Sequence, residues 1–259
     1  MTKWIRSGAI FCLLAVPSAS VASTQGTQSA AGSSDAAKRG NEVLLAAAKA
    51  AGGGEKLNSV ATLAIEEKGK IITAQGDTSL AVKWIVAYPD RSHGEVLYGD
   101  QDVVQICDGT SAWLQFSQGI RDTTPVISEF KRGISLFGGG WGIYEQVLAG
   151  KMNGQFIGET EIDGKKMLGV AVEGAFGPLK LYFDPATHLL SAARYESAGP
   201  HGTSDNEQRW SDYRTVEGRL FAFSTVTYRD GAKFFESTIQ NVQLNPKIDE
   251  SLFAKPAAQ

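Results

Sequence analysis

Tight polar turns between apolar segments dominate the C-terminal part of this chain. Asp163-Gly164, Glu217-Gly218 and Asp230-Gly231 each separate two apolar or alternating segments, and Asp184-Pro185 marks a further turn. Asp-Gly favours a two-residue hairpin because glycine readily adopts the positive φ that such a turn needs. A series of these turns predicts an antiparallel meander and argues against a parallel α/β sheet.

Candidate strands occur in both halves of the chain. In the segment 78–88, Trp84 and Val86 share one face of a strand while Lys83 and Ile85 share the other. The pattern indicates about eleven strands, more than one flat, strongly twisted sheet holds comfortably. We therefore predict a mainly β fold with helices (α+β), built on a curved antiparallel sheet or incomplete β-barrel.

Two segments have helical rather than strand periodicity. Residues 35–51 predict a helix that ends at the glycines following it, and residues 125–148 predict two short, very apolar helices. We expect both regions to lie on the concave side of the sheet. The joint between the two short helices consists of three consecutive glycines, Gly138, Gly139 and Gly140. We interpret this joint as a hinge.

The N-terminal segment is typical of an export signal. Lys3 and Arg6 precede the short apolar stretch 10–16, and small residues at 20–22 favour cleavage after Ala22. A membrane anchor is the alternative, but the apolar stretch is shorter than the roughly 20 residues that span a bilayer. We therefore predict a cleaved, exported protein that resides in the periplasm.

The sequence predicts three segments, one before this cut and two after it. Residues 1–22 are the predicted signal peptide. Residues 23–38 are rich in small polar residues without apolar periodicity, which predicts a disordered leader. No second linker-like stretch follows, so residues 39–259 are predicted to form a single domain.

Charge and reactive side chains exclude several classes of function. The formal net charge is −3, and no run of basic residues suggests nucleic acid as a partner. His93, His188 and His201 are isolated, without metal-ligand spacing. Cys107 is the one cysteine that follows the predicted cut, and it lies in an apolar strand. No nucleophile elbow, phosphate loop or dinucleotide motif occurs. We therefore predict no enzyme, no catalytic or metal-binding residue and no cofactor.

Aromatic side chains are concentrated in the middle of the chain. Two explanations fit them equally well. One is an ordinary packed core, and the other is a ligand cavity covered by the glycine-jointed helices. Ligand sites are concave and mostly apolar, with few polar groups. On the cavity interpretation, the lining candidates are Trp84, Trp113, Phe116, Phe130, Ile134, Phe137, Trp141 and Tyr144.

Several local motifs, together with the order of the predicted elements, resemble a known superfamily. The motifs lie at residues 50–57, 108–113, 210–214 with 217–218, and 245–253. The chain resembles the LolA/LolB-like superfamily of periplasmic lipoprotein carriers and their relatives over roughly residues 39 to 253. The resemblance implies a half-barrel whose helices enclose an apolar cavity for acyl chains. It supplies no match for the basic residue that controls closure in true carriers, so no ligand-contacting residue is transferred.

The resulting hypothesis is a non-catalytic periplasmic carrier or chaperone that binds acyl chains of lipids or lipoproteins. Its expected partners are that acyl chain and envelope transport proteins, and we expect a monomer. One alternative is a sensor or binding module for envelope lipid or lipoprotein. A hydrolase and a structural envelope protein with a filled core are further alternatives.

Overall fold

The computed structural model describes residues 30–52, 60–199 and 202–257. These residues form one sheet of 13 strands, in which every hydrogen-bonded pair is antiparallel. The predicted mainly β class with an open, curved antiparallel sheet is confirmed. The strands are β1 Thr62–Thr73, β2 Gly76–Ala87, β3 Arg91–Tyr98, β4 Gln101–Asp108, β5 Ala112–Phe116, β6 Gly119–Asp122, β7 Gly154–Ile162, β8 Lys165–Gly174, β9 Gly177–Phe183, β10 Leu190–Gly199, β11 Gly202–Val216, β12 Arg219–Arg229 and β13 Ala232–Leu244.

The first and last strands pair with each other in the interior of the sheet. The strand order is β6-β5-β4-β3-β2-β1-β13-β12-β11-β10-β9-β8-β7, so β6 and β7 form the two edges. In a flat sheet of 13 strands, with about 4.8 Å between neighbouring strands, the two edges would be about 58 Å apart. The helix that links these edges has 22 residues, or about 33 Å if straight. This helix contacts β3 and β10, which lie on opposite sides of the paired strands β1 and β13, so the sheet curls around it.

The first helix, α1, spans Ala30–Ala50 and packs against β7, β8 and the second helix. It begins five residues before the predicted start, so residues 30–38 of the predicted disordered leader are helical. Alanine favours helix even where no apolar stripe is present, and this segment is rich in it. Gly52, with φ of 101°, ends the helix by donating a hydrogen bond to the carbonyl of Lys49. The predicted signal peptide, its cut and residues 23–29 lie outside the described residues.

The second helix, α2, spans Ile127–Leu148 and follows a short 3-10 turn at Thr124–Val126. Four residues inside it, 137–140, have non-helical backbone angles. Two helical segments joined at glycines were predicted, and this arrangement is confirmed. α2 contacts β3, β10 and β12, so it reaches strands from both parts of the sheet.

The hairpin turns adopt the backbone conformation that their sequences predicted. Asp163 and Gly164 have φ of 51° and 75°, and Asp230 and Gly231 have φ of 49° and 79°. Positive φ at both central residues matches the right-handed twist of the flanking strands. The pair Glu217-Gly218 follows the same pattern. These turns join β7 to β8, β11 to β12 and β12 to β13.

The sheet has two faces of different character, called here the inner and outer faces. The inner face is the one covered by α1 and α2, and its side chains form the main apolar core. The outer face carries a small apolar cluster and many charged side chains. On β3 and β4 the outer face is covered by the C-terminal turn Glu250–Phe253.

Candidate functional site

The candidate site lies on the inner face, where the non-helical part of α2 meets the sheet. The ring of Phe137, the first non-helical residue, lies 5.3 Å from that of Trp84 on β2. The indole ring of Trp84 covers its β3 neighbour Gly94. A Cβ at Gly94 would lie only 2.2 Å from this ring. Glycine at this cross-strand position therefore lets the indole lie along the sheet. Both aromatic residues are half-buried.

The glycine joint presses closely on the sheet. Gly138, Gly139 and Gly140 have φ of 60°, 88° and 99°, a region that L side chains rarely adopt. A Cβ at Gly139 would lie 2.4 Å from the hydroxyl oxygen of Tyr213, and one at Gly138 would lie 2.5 Å from Phe221. The joint therefore needs glycine for two reasons, its backbone angles and its close approach to β11 and β12.

The α2 residues on either side of the joint fill the inner space. Trp141 stacks on Phe221 at 4.9 Å and donates its indole N–H to the carbonyl of Leu220 at 2.9 Å. Ile134, Trp141 and Tyr144 are each 1% exposed, and Phe130 is 6% exposed. These four predicted lining residues are therefore packed side chains in this conformation. Trp84, Phe116 and Phe137 remain half-buried at the periphery of the same core.

Trp113 does not join the other predicted lining residues. It lies opposite Ile106 on β4, which in turn lies opposite His93 on β3. His93 bonds through Nδ1 to the carbonyl oxygen of Leu252, in the C-terminal turn over the outer face. Directly opposed residues share a face, so Trp113 faces outward and its prediction as a lining residue is wrong. Trp113 and Leu114 are adjacent and both apolar, so alternation alone does not tell which one points inward.

Sequence reasoning missed Glu67, whose carboxyl group interacts with Trp84 of the aromatic pair. Glu67 lies on β1, opposite Val82 on β2, and a register shift separates it from Glu66. The hydroxyl of Ser237 and the indole of Trp84 donate hydrogen bonds to its carboxyl group. The groups that shift its pKa include no cation. Burial raises the pKa of Glu67, and the two hydrogen bonds only partly offset this effect.

Tyrosine hydroxyls add a few polar atoms to this apolar region. Tyr213 donates to the carbonyl of Leu190 at 2.6 Å, and burial raises its pKa. Burial, together with the charge of Glu145, also raises the pKa of Tyr88. The Tyr88 hydroxyl is buried and forms no hydrogen bond within the described chain. The inner region is therefore mostly apolar and contains a few polar atoms, the composition typical of ligand sites.

A separate groove of about 1140 Å³ crosses the outer face of β8 to β12. Glu207 binds Arg194 at 2.5 Å and Arg209 at 2.5 Å, and Arg209 also binds Asp163 at 2.7 Å. Arg194 lies over the ring of Tyr182, with 4.9 Å from the guanidinium carbon to the ring centroid. Asp163, Arg194, Glu207 and Arg209 thus form one network of paired charges in this groove.

Reactive and metal-binding groups are dispersed. Within residues 30–52, 60–199 and 202–257, no group of three or more His, Cys, Asp or Glu side chains is placed to hold a metal ion. Cys107 is buried, and burial is the largest effect raising the pKa of its thiol. His188 lies in an exposed turn, and His201 lies outside the described residues. In the same described part of the chain, neither helix has the length and apolarity needed to cross a membrane.

Solved structures with the same fold place the chain in a structural class. A domain from Vibrio parahaemolyticus described as an outer membrane lipoprotein-sorting protein matches with a TM-score of 0.54 at 11% identity, covering 84% of this chain and 97% of that one. A LolA superfamily protein from Nitrosomonas europaea matches with a TM-score of 0.57 at 10% identity, covering 83% and 97%. A DUF1329 family protein from Desulfovibrio piger matches with a TM-score of 0.55 at 11% identity, covering 85% and 97%.

The protein therefore has the fold of the LolA superfamily, as its local motifs predicted. At these identities the likeness establishes the fold alone. No family model matches the chain, and no curated protein matches it either.

Proposed function

We propose that this protein is an exported, non-catalytic carrier that binds an acyl chain of a lipid or lipoprotein on the inner face of its sheet. The observation that carries the proposal is the half-buried aromatic pair of Trp84 and Phe137 at the glycine joint. The pair places apolar ring surface at the margin of the core, on the residue where α2 stops being helical. An acyl chain gains free energy by burying its methylene groups against such a surface.

Ligand entry would proceed by movement of α2 at residues 137–140. In the present conformation Ile134 and Trp141 fill the space beneath the helix, so a chain must displace part of α2 to enter. The glycines concentrate the backbone change at one point and leave the two helical segments as rigid bodies. In this proposal the signal peptide is cleaved after Ala22 and the mature carrier acts in the periplasm. There it exchanges its ligand with envelope transport proteins. Residues 39–259 would act as a single carrier domain, as a monomer.

A structural role with a permanently filled core is the second candidate. It is favoured by the same packing, since Ile134, Trp141 and Tyr144 leave only 1% of their surface exposed. The two functions differ in whether the parent protein takes up an acyl probe. They also differ in whether a charge at Phe137 removes uptake or unfolds the protein.

The test is binding of a fluorescent fatty-acyl probe to the parent protein and to Phe137→Asp. We expect saturable binding by the parent and a loss of about ten-fold or more in affinity in the variant, because an unpaired carboxylate is strongly disfavoured beside an apolar ligand. Leu97→Asp is the control. It adds the same charge at a position on β3 that is 45% exposed, and it should leave binding unchanged.

Thermal melts of each variant accompany the binding measurement. Phe137→Asp must still melt cooperatively for its binding loss to count as removal of the ligand site. A parent protein that binds no probe, or a Phe137→Asp variant that fails to fold, would favour the filled core over the carrier.

A further inference from the structure

The inner face carries a carboxyl group, that of Glu67, whose hydrogen-bond donors carry no positive charge. Glu67 accepts hydrogen bonds from Ser237 and from the Trp84 indole. Both donors are neutral, and neither neutralises a carboxylate. The residue as a whole is half-buried, while its carboxyl group lies deep enough for burial to dominate its pKa. The carboxyl group is thus mostly enclosed by protein atoms, while another part of the same residue stays exposed.

Glu67 is also linked directly to the aromatic pair. Its hydrogen-bond donor Trp84 lies against Phe137, so one indole connects the carboxyl group to the joint of α2. Val82 and Ile239, which lie opposite Glu67 on the two neighbouring strands, are both buried apolar residues. The carboxyl group is thus a single polar point on an apolar surface, the arrangement that orients a ligand having one polar end.

We propose that Glu67 anchors the polar end of the bound amphiphile and selects a cationic, hydrogen-bond-donating end, such as a primary ammonium group, over an anionic one. This inference rests on the proposed carrier function. An ammonium group supplies a positive charge, which none of the described neighbours of Glu67 provides, and forms a charge-assisted hydrogen bond with it. A ligand carboxylate would place a like charge beside Glu67 in a region of low polarity.

The outer face shows what a structural carboxylate looks like in the same sheet. Glu207 is held by the guanidinium groups of Arg194 and Arg209, so its charge is already matched. Among the residues that the structure describes, Glu67 forms no ion pair of this kind, and it faces the region where the ligand is proposed to bind. This contrast favours a ligand role for Glu67 over a role in holding the sheet together.

The experiment compares three amphiphiles with the same tail as competitors of the fluorescent acyl probe. Dodecylammonium, dodecanol and dodecanoate are titrated at pH 7.5, below the concentrations at which they form micelles. We expect dodecylammonium to displace the probe from the parent protein at a concentration about ten-fold or more below that of dodecanoate, the scale of one charge-assisted hydrogen bond. Dodecanol should fall between them.

Glu67→Gln should bring the three displacement curves together while retaining displacement by dodecanol. Glu66→Gln is the matched control, because it makes the same change at the adjacent, exposed position and should keep the preference of the parent. Equal displacement by all three amphiphiles in the parent, or a preference that persists in Glu67→Gln, would overturn the role of Glu67 and leave the carrier function standing.

The comparison within the parent protein decides the inference even if Glu67→Gln does not fold. If neither dodecanol nor dodecylammonium displaces any probe, or if the probe does not bind, the carrier function and this inference are overturned together.

Discussion

Two glutamates on one sheet, Glu67 and Glu207, experience opposite environments. Burial tends to raise the pKa of both. At Glu207, hydrogen bonds and charge from Arg194 and Arg209 outweigh burial and lower the pKa. At Glu67, only Ser237 and Trp84 oppose burial, so the pKa is raised. The outer carboxylate stabilises the fold when it is charged, whereas the inner one costs stability when it is charged.

The two faces differ in packing as well as in charge. On the inner face, the glycine joint lies so close to β11 and β12 that no Cβ fits without movement. At the rim of the sheet, the turn glycine Gly231 has nothing within 4 Å of a Cβ position. A residue that costs stability beside such a crowded element is a candidate for function, because natural proteins accept such costs at working sites.

The largest expected effect is on the inner side, at the joint. Gly139→Ala should lower the free energy of unfolding by about 3 kcal/mol, through the positive φ and the contact with Tyr213 together. Gly231→Ala shares the positive φ and lacks the contact, so it should cost about 1 kcal/mol. Urea denaturation measures both values. Equal losses for the two variants would mean that the joint is free to move away from Tyr213.

The next effect concerns the paired outer carboxylate. Glu207→Gln should destabilise the protein at pH 7 by about 1 kcal/mol, a value reduced because the partner arginines are partly exposed. The lowered pKa of Glu207 means that its contribution is present above the ordinary glutamate range and is lost as pH falls through the folded-state pKa. Denaturation at a series of pH values should therefore show parent and variant converging below about pH 4. A difference that stays constant with pH would show that the charge of Glu207 is not what stabilises the fold.

The last effect has the opposite sign. Because the folded state raises the pKa of Glu67, it binds more protons than the unfolded chain above about pH 4.3, and parent stability falls as pH rises from there. Glu67→Gln removes that loss, so at pH 8 it should stabilise the protein by about 1 kcal/mol, the scale of one buried charge without a cation. The gain should vanish near pH 4. Thermal melts beside Glu66→Gln give the comparison, and a variant less stable than its parent at pH 8 would assign Glu67 a structural role.

Local chemistry made much of the fold readable from sequence. The Asp-Gly turns specify the hairpins because their backbone conformation is set by two residues alone. The glycine joint is equally local, since three glycines cannot continue a helix without cost. β6 was missed because its four residues, Gly119–Asp122, have no apolar alternation. The early start of α1 was missed because helix propensity there acts without an apolar stripe.

The candidate site was less readable, for reasons that involve distant residues. Trp113 and Leu114 look alike in sequence, and only their pairing with β4 shows which one points inward. Glu67 sits in a run of polar residues on β1, where any carboxylate would be taken as exposed. Its burial depends on β13 and β2, and these strands are brought beside it by the tertiary fold.

The pairing of β1 with β13 also has a consequence for the order of folding. Each other neighbouring pair in the sheet joins strands that follow each other in the chain, so β1 to β6 and β7 to β13 are two local meanders. Local pairs form early, whereas contacts such as Leu63 with Leu244 require closure of the whole segment between these two residues. The pairing of β1 with β13, which joins the two meanders, therefore forms only after the last strand has been synthesised. Until then each meander exposes an unpaired edge, and newly made chains are most prone to aggregate in that interval.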